Sequence, residues 1–345
     1  MSHLIFVPGT AAADAGADVG KQTTLALARL DERLRAERSS LADAAVLTVY
    51  LRKAADFAAM NEAYRQAWKA APPTRTTVVT ELLTPDALVE ISAIAPAAGA
   101  DRRVVHPSSW MASPNPYSYS IRTGDTLFLS GLIARNGKDN TVVSGDVATQ
   151  TRVVMENARE LLDSAGLSFA HLVSARAFLP DLASFAEFNR VYREHVGPDR
   201  PARATVGASL TGSSYNVEVT FVASASQLER IETSAQPNPN LSAAIKAGNV
   251  LWLSGLLADA DALKEDAAAQ TRDILRKLDA LLDKAAFSRG DVRELLVYVT
   301  DGEAARAAEP LCRAAFGERV SITRALVKLA AEGARVEIMT CADRG

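Results

Sequence analysis

The stretch RPARATVGASLTGSSYNVEVTFVA (residues 200–223) places an arginine, Arg203, at the mouth of one strand-like run and a glutamate, Glu218, inside another. ARATV and NVEVTFV have the composition of strands. Charged side chains are rare in such runs unless they are paired or used. The stretch alone admits two readings: an ion pair that locks a sheet, or the working part of a site.

Both halves recur. RPARATV is echoed by PPTRTTV (72–78) and SITRALV (321–327), and NVEVTFVA by LVEISAIA (88–95) and RVEIMTCA (335–342). Upstream lie FVPGT (6–10), FLSGLIA (128–134) and WLSGLLA (252–258), each followed by an amphipathic run that begins with Gln-Thr. Gln22, Asn61, Arg75 and Glu90 reappear 128 positions on as Gln150, Asn189, Arg203 and Glu218. Gln270, Arg324 and Glu337 follow after a further 119–121. Features repeated in one order, three times, define three homologous domains, 1–96, 104–226 and 234–345, joined by linkers at 96–103 and 227–236.

The central copy is the most complete. Asp146 is placed to cap a helix whose apolar positions keep helical spacing, and Gly166 to close it. Phe185, Phe188, Val191 and Tyr192 form the stripe of a second helix that ends near Gly197. Strands alternating with two helices predict an α+β unit, one sheet with both helices on one face. The bare faces of three such sheets can cover one another around a shared axis. The repeated Gln-Thr pairs read as structural, because each sits at a helix start.

Composition excludes several classes. With 48% hydrophobic and 23% charged residues and a net charge of −3, the chain is globular and carries no basic stripe for nucleic acid. No run of about 20 apolar residues predicts a membrane span. Two cysteines, Cys312 and Cys341, make no disulfide framework, and four scattered histidines make no metal site. A cytoplasmic location is expected. GADVGKQT (15–22) has the wrong spacing for a phosphate loop.

Together NPYSYSIRTGDTLFLSGLI (115–133), GDVATQTRVVMENARELLDSAGLS (145–168), LPDLASFAEFNRVY (179–192), RPARATV and VEVTFVA resemble the RidA/YjgF family of imine and enamine deaminases. The resemblance implies a chorismate-mutase-like α+β fold. It also implies a trimer encoded in one chain, with sheets around a central barrel, helices outside and clefts at the domain boundaries. It implies hydrolysis of 2-imino and 2-enamine acids to 2-oxo acids and ammonia, with no cofactor and no metal. Within it, Arg203 grips the substrate carboxylate and Glu218 positions or activates water. Tyr117, Ser130, Gly131 and Asn189 line the cleft, and Thr205 stands where many members carry cysteine. An electrophilic, anionic imino acid needs a cationic clamp, a proton donor or acceptor and a placed water. Arg203 and Glu218 are expected on neighbouring strands to supply the first two.

The outer copies keep Arg75, Glu90 and Asn61, and Arg324 and Glu337, as expected secondary clefts. They depart elsewhere: Pro8 replaces the equivalent of Ser130, Glu309 replaces the asparagine, and Leu241 or Asn240 stands where Tyr117 does. No counterpart of NPYSYSIRTGD precedes HLIFVPGT in this sequence. Arg203 is therefore expected to serve the main cleft. A monomeric pseudo-trimer is expected, with dimerisation allowed through an open edge of the first copy. Three-domain ring-opening amidohydrolases need a Ser–Lys pair in each repeat, and no lysine recurs here. The non-catalytic alternative is a carboxylate-binding or chaperone-like protein.

Overall fold

The computed structural model describes residues 4–198, 200–234 and 237–345. The first copy runs β1 (Leu4–Ala11), α1 (Val19–Ala36), β2 (Val46–Leu51), α2 (Phe57–Ala67), β3 (Thr74–Val79) and β4 (Val89–Pro96). The second runs β5 (Arg102–Val104), β6 (Ser120–Thr123), β7 (Thr126–Leu129), α3 (Val147–Ser164), β8 (Leu172–Leu179), α4 (Phe185–Val196), β9 (Ala202–Gly207), β10 (Ser209–Leu210) and β11 (Glu218–Ser224). The third runs β12 (Leu228–Ile231), β13 (Ala244–Ala247), β14 (Val250–Leu256), α5 (Ala267–Lys284), β15 (Val292–Val299), α6 (Gly302–Phe316), β16 (Ser321–Leu326), β17 (Lys328–Leu329) and β18 (Val336–Asp343).

Each copy builds one mixed sheet around the same centre. The closing strands β4, β11 and β18 pair antiparallel with β2, β8 and β15, which run parallel to β3, β9 and β16. A parallel pair needs a crossover, and α2, α4 and α6 provide it. The fold is α+β, three times over.

The helix that follows each Gly turn begins at an aspartate cap. Asp18, Asp146 and Asp266 accept from the backbone N–H groups of Lys21, Thr149 and Ala269. One turn in, Gln22, Gln150 and Gln270 are fully buried. Their Oε1 atoms accept from the amides of Leu88, Asn216 and Arg335 at 2.8, 2.7 and 2.8 Å. Their Nε2 atoms donate to the carbonyls of Asp86, Ser214 and Gly333. Each glutamine thus ties its helix to the residue two positions before Glu90, Glu218 or Glu337 and fixes where that strand starts.

Strand alternation divides the side chains. Leu47, Val49 and Leu51 pack with the helices of the first copy, as Ala175, Ala177 and Leu179, and Leu295, Val297 and Val299, do in theirs. The opposite faces meet one another: Tyr50, Phe178 and Tyr298 share one apolar cluster, and Val46, Val173, Trp252 and Cys341 another. A cavity of about 40 Å³ remains among the three faces, lined by Thr48, Ser174, Arg176, Thr220 and Glu294. Arg176 Nη2 donates to Thr48 Oγ1 at 3.2 Å.

The copies interlock in a cycle. β10 of the second copy adds to β3 of the first, and β17 of the third adds to β9 of the second. The Thr80 hydroxyl of the first donates to the Leu326 carbonyl of the third. β1 is the terminal strand of its sheet. Its Leu4 and Gly9 amides donate to Asp343 Oδ2 and Thr323 Oγ1 of the third copy.

Candidate functional site

Arg75, Arg203 and Arg324 stand at equivalent places on β3, β9 and β16. The seams, not the order along the chain, decide which glutamate each one meets. In the central sheet β8 lies between β9 and β11, so Arg203 and Glu218 are not on neighbouring strands, and the pairing read from residues 200–223 is corrected. Glu218 interacts with Arg75 of the first copy, Arg203 with Glu337 of the third, and Arg324 with Glu90 of the first. The cause is the Ser-Gly turn after β7 and within β14, which crosses to the preceding copy. Ser130 Oγ accepts from Arg75 N at 2.9 Å, and Gly131 N donates to Arg75 O at 3.0 Å. Ser254 Oγ accepts from Arg203 N at 2.7 Å. Pro8 has no hydroxyl to offer, and there Gly9 N donates to Thr323 Oγ1 at 3.0 Å.

The same turn explains its glycine. A Cβ on Gly9, Gly131 or Gly255 would lie 2.0, 1.9 or 1.9 Å from Oε1 of Glu90, Glu218 or Glu337. The carboxyl group rests directly over the glycine, so the two residue types recur together.

The seam between the first two copies opens onto a pocket. Arg75 lies on a bed of aromatic rings, its guanidinium carbon 5.5, 4.9 and 5.4 Å from the centroids of Phe57, Tyr64 and Tyr117. Its backbone is pinned, yet among the described residues its side chain's one hydrogen-bond contact is a 4.0 Å approach to Met60 Sδ. Asn61 turns away and donates to Asn115 Oδ1 of the second copy at 3.3 Å. The guanidinium faces a pocket of about 290 Å³ lined by Thr77, Asn115, Tyr117, Gly131 and Glu218. Burial pushes the Glu218 carboxyl up to about 8, against the Thr77 N–H at 3.3 Å and the charges of Arg75 and Arg176. At neutral pH it is therefore mostly a protonated acid. Burial also lowers the pKa of Arg75, although a guanidinium is not deprotonated in proteins.

At the second seam the arginine is bonded to its own copy. Arg203 is 2% exposed, stacks on Tyr192 and Phe188 at 4.6 and 5.4 Å, and donates from Nη2 to Asn189 Oδ1 at 2.6 Å. Among the described residues its Nε and Nη1 have no acceptor. Thr205, also buried, stands at the position of Thr77 in this seam. Ser242 N donates to Pro201 O as Ser118 N does to Pro73 O. That register places Leu241 at the Tyr117 position and Pro239 at the Asn115 position.

In the third seam the clamp is already occupied. Arg324 Nη1 donates to Glu309 Oε2 at 2.5 Å, with both side chains about a third exposed. Glu309 takes the place of Asn61 and Asn189, while Ala305 and Cys312 take the places of Phe57 and Tyr64. An arginine without an aromatic bed has a carboxylate from its own helix instead. Burial raises Glu90 to about 7 and Glu337 to about 8.

The residues read from the central copy are thus divided between two clefts. Tyr117, Ser130, Gly131 and Glu218 join Arg75 and Asn61. Arg203, Asn189 and Thr205 join Ser254, Gly255 and Glu337. Phe57, Tyr64, Thr77, Asn115, Arg135 and Tyr215 were not read as site residues. For the aromatic bed a signal existed: Tyr64 and Tyr192 stand three residues after their asparagine, and the copy with Glu309 lacks the ring. Among the described residues no group of three or more His, Cys, Asp and Glu could hold a metal ion, and no helix is long and apolar enough to cross a membrane.

The sequence profile of the Endoribonuclease L-PSP family matches residues 1–97, 108–225 and 232–343, nearly the whole chain. The chain belongs to the RidA/YjgF family. A RutC family protein of Sulfurisphaera tokodaii is 38% identical over 109 residues, 32% of this chain and 87% of the relative. The human 2-iminobutanoate/2-iminopropanoate deaminase is 28% identical over 122 residues, 35% of this chain and 89% of the relative. The crystal structure of the YjgF product of E. coli aligns at 28% identity and a TM-score of 0.33, over 36% of this chain and 98% of that one. Each match spans about a third of this RidA-family chain.

Proposed function

We propose that the chain is a cofactor-independent deaminase of 2-imino and 2-enamine acids, working chiefly at the seam between its first and second copies. The observation that carries this reading is a buried guanidinium, Arg75, presented to a pocket without a carboxylate of its own, opposite the protonated acid Glu218. The deaminase name of the human relative points the same way.

The substrate carboxylate pairs with Arg75, which replaces the water that burial removed. Glu218 gives its proton to the imine nitrogen, or to the β-carbon of an enamine. Water then adds to C2, and its proton goes to the Glu218 carboxylate. The resulting carbinolamine takes that proton on nitrogen, and the C–N bond breaks. Ammonia leaves as the hydroxyl proton returns to Glu218, so imine and water become 2-oxo acid and ammonia. Thr77 and Tyr117 shape the wall, and Asn61 with Asn115 joins its two halves.

Ammonia release from freshly generated 2-iminobutanoate and 2-iminopropanoate tests the reading, with Glu218→Gln as control. Glutamine keeps the shape but cannot cycle a proton. Release above the uncatalysed rate, lost by 100-fold or so in the variant, is expected for general acid–base work. No release, with 2-oxobutanoate still bound, leaves the carboxylate-binding alternative.

A further inference from the structure

The pocket that Arg75 faces holds a second guanidinium. Arg135 follows the Ser130-Gly131 turn and lines the same cavity, half-buried. Its Nε donates to Tyr215 Oη at 2.6 Å and its Nη1 to the Asn140 carbonyl at 2.6 Å. Among the described residues no carboxylate pairs with it, and no acceptor is recorded for its Nη2. The position is not held by the fold: its equivalents are Ala13 in the first copy and Asp259, of opposite sign, in the third. Arg135 therefore occurs only in the seam that has Tyr117. Its partners are neutral, so they orient the group without cancelling its charge.

The geometry points to a dianionic substrate: a short 2-imino dicarboxylic acid, its C1 carboxylate on Arg75 and its distal carboxylate on Arg135. This rests on the deaminase reading for the imine and on the two arginines for the charge. Arg75 and Arg135 present two positive charges to the cavity, and among the described residues the one carboxyl group lining it, Glu218, is mostly protonated at neutral pH. A monocarboxylate neutralises one of the two, and a dicarboxylate both. The Tyr215 hydroxyl and Asn140 carbonyl hold the Arg135 fork in place, so little orienting entropy remains to be lost on binding.

The test compares 2-oxoglutarate with 2-oxopentanoate, which share a five-carbon chain and differ by one carboxylate. Calorimetry on the full chain measures their binding, and ammonia release measures hydrolysis of the corresponding imines. The dianion is expected to bind about 10- to 100-fold more tightly, as for one charge-assisted hydrogen-bonded pair. That ratio should collapse in Arg135→Met and survive partly in Arg135→Lys, and added salt should reduce it. Equal binding in the wild-type chain overturns the inference without any variant, as does a ratio unchanged in Arg135→Met. Hydrolysis of both imines at equal efficiency overturns it while leaving the deaminase reading intact. A preference for the dianion without ammonia release from either imine upholds the charge inference and removes the deaminase reading.

Discussion

Replacing Arg75 by alanine takes the cation out of the 290 Å³ pocket at the first seam. The side chain is 4% exposed, so a carboxylate docked on it is nearly dry. Losing one partner of such a desolvated pair costs about 2–5 kcal/mol, roughly 30- to several-thousand-fold in kcat/KM. The fold should tolerate the change, because no protein carboxylate or carbonyl is left without its donor: the side chain's recorded contact is with Met60 Sδ. Arg203→Ala differs, since it orphans Asn189 Oδ1 in a buried site, a stability cost of about 1–3 kcal/mol. The assay is initial-rate ammonia release from 2-iminobutanoate, with thermal unfolding as a check on each variant. Arg75→Ala should fall by at least 30-fold, while Arg203→Ala and Arg324→Ala keep at least half the activity per folded molecule. A fall of less than threefold in Arg75→Ala, or abolition in a folded Arg203→Ala, refutes the assignment of the first seam.

The proton on Glu218 sets a pH limb: kcat/KM should decline as pH rises through about 8, and a profile flat from pH 6 to 10 removes Glu218 as the acid. Glu309→Asn should free Arg324 and raise the calorimetric stoichiometry for 2-oxobutanoate by one; an unchanged stoichiometry means that Glu309 is not what closes the third seam. Stability should fall with rising pH, because Glu90, Glu218, Glu294 and Glu337 hold protons to about 7–8 when folded but to about 4.3 when unfolded. The folded chain binds more protons throughout that window, so the melting temperature should drop from pH 5 to 8 and level off above; a rise would contradict the burial of these groups. Light scattering at micromolar concentration should give about 37 kDa, since each copy already has both neighbours tethered; a stable trimer of whole chains is the contrary result.

The repeat made the fold and the types of site residue readable. Features in fixed order locate the arginine and the glutamate of every copy and the position that holds asparagine in the first two, and the glutamines could be read as structural because each follows a helix cap. What repetition cannot convey is adjacency. Equivalent positions carry the same label in each copy, whereas Arg75 meets Glu218 only because Ser130-Gly131 crosses to the preceding copy. Residues 200–223 thus hold half of two clefts. Arg135 was hidden for the opposite reason: with Ala13 and Asp259 at its equivalents it breaks the pattern, and a search for recurrence passes over it. The aromatic bed looked like core because Phe188 and Tyr192 serve both purposes, filling a helix stripe and carrying a guanidinium.

The interlocking seams also bear on how such a protein can change. In an assembly of three identical chains, one substitution is written into every cleft at once, and a change that ruins binding ruins all of it. Here each cleft has its own codons. Pro8, Glu309, Ala305 and Cys312 all fall at the junction of the third copy with the first, and none of them touches the cleft of Arg75. That junction can serve as an internal fastening, while the first seam acquires an Arg135 that the other two never had to accommodate. A symmetrical ancestor could adjust its specificity only in triplicate; this chain can adjust it one cleft at a time.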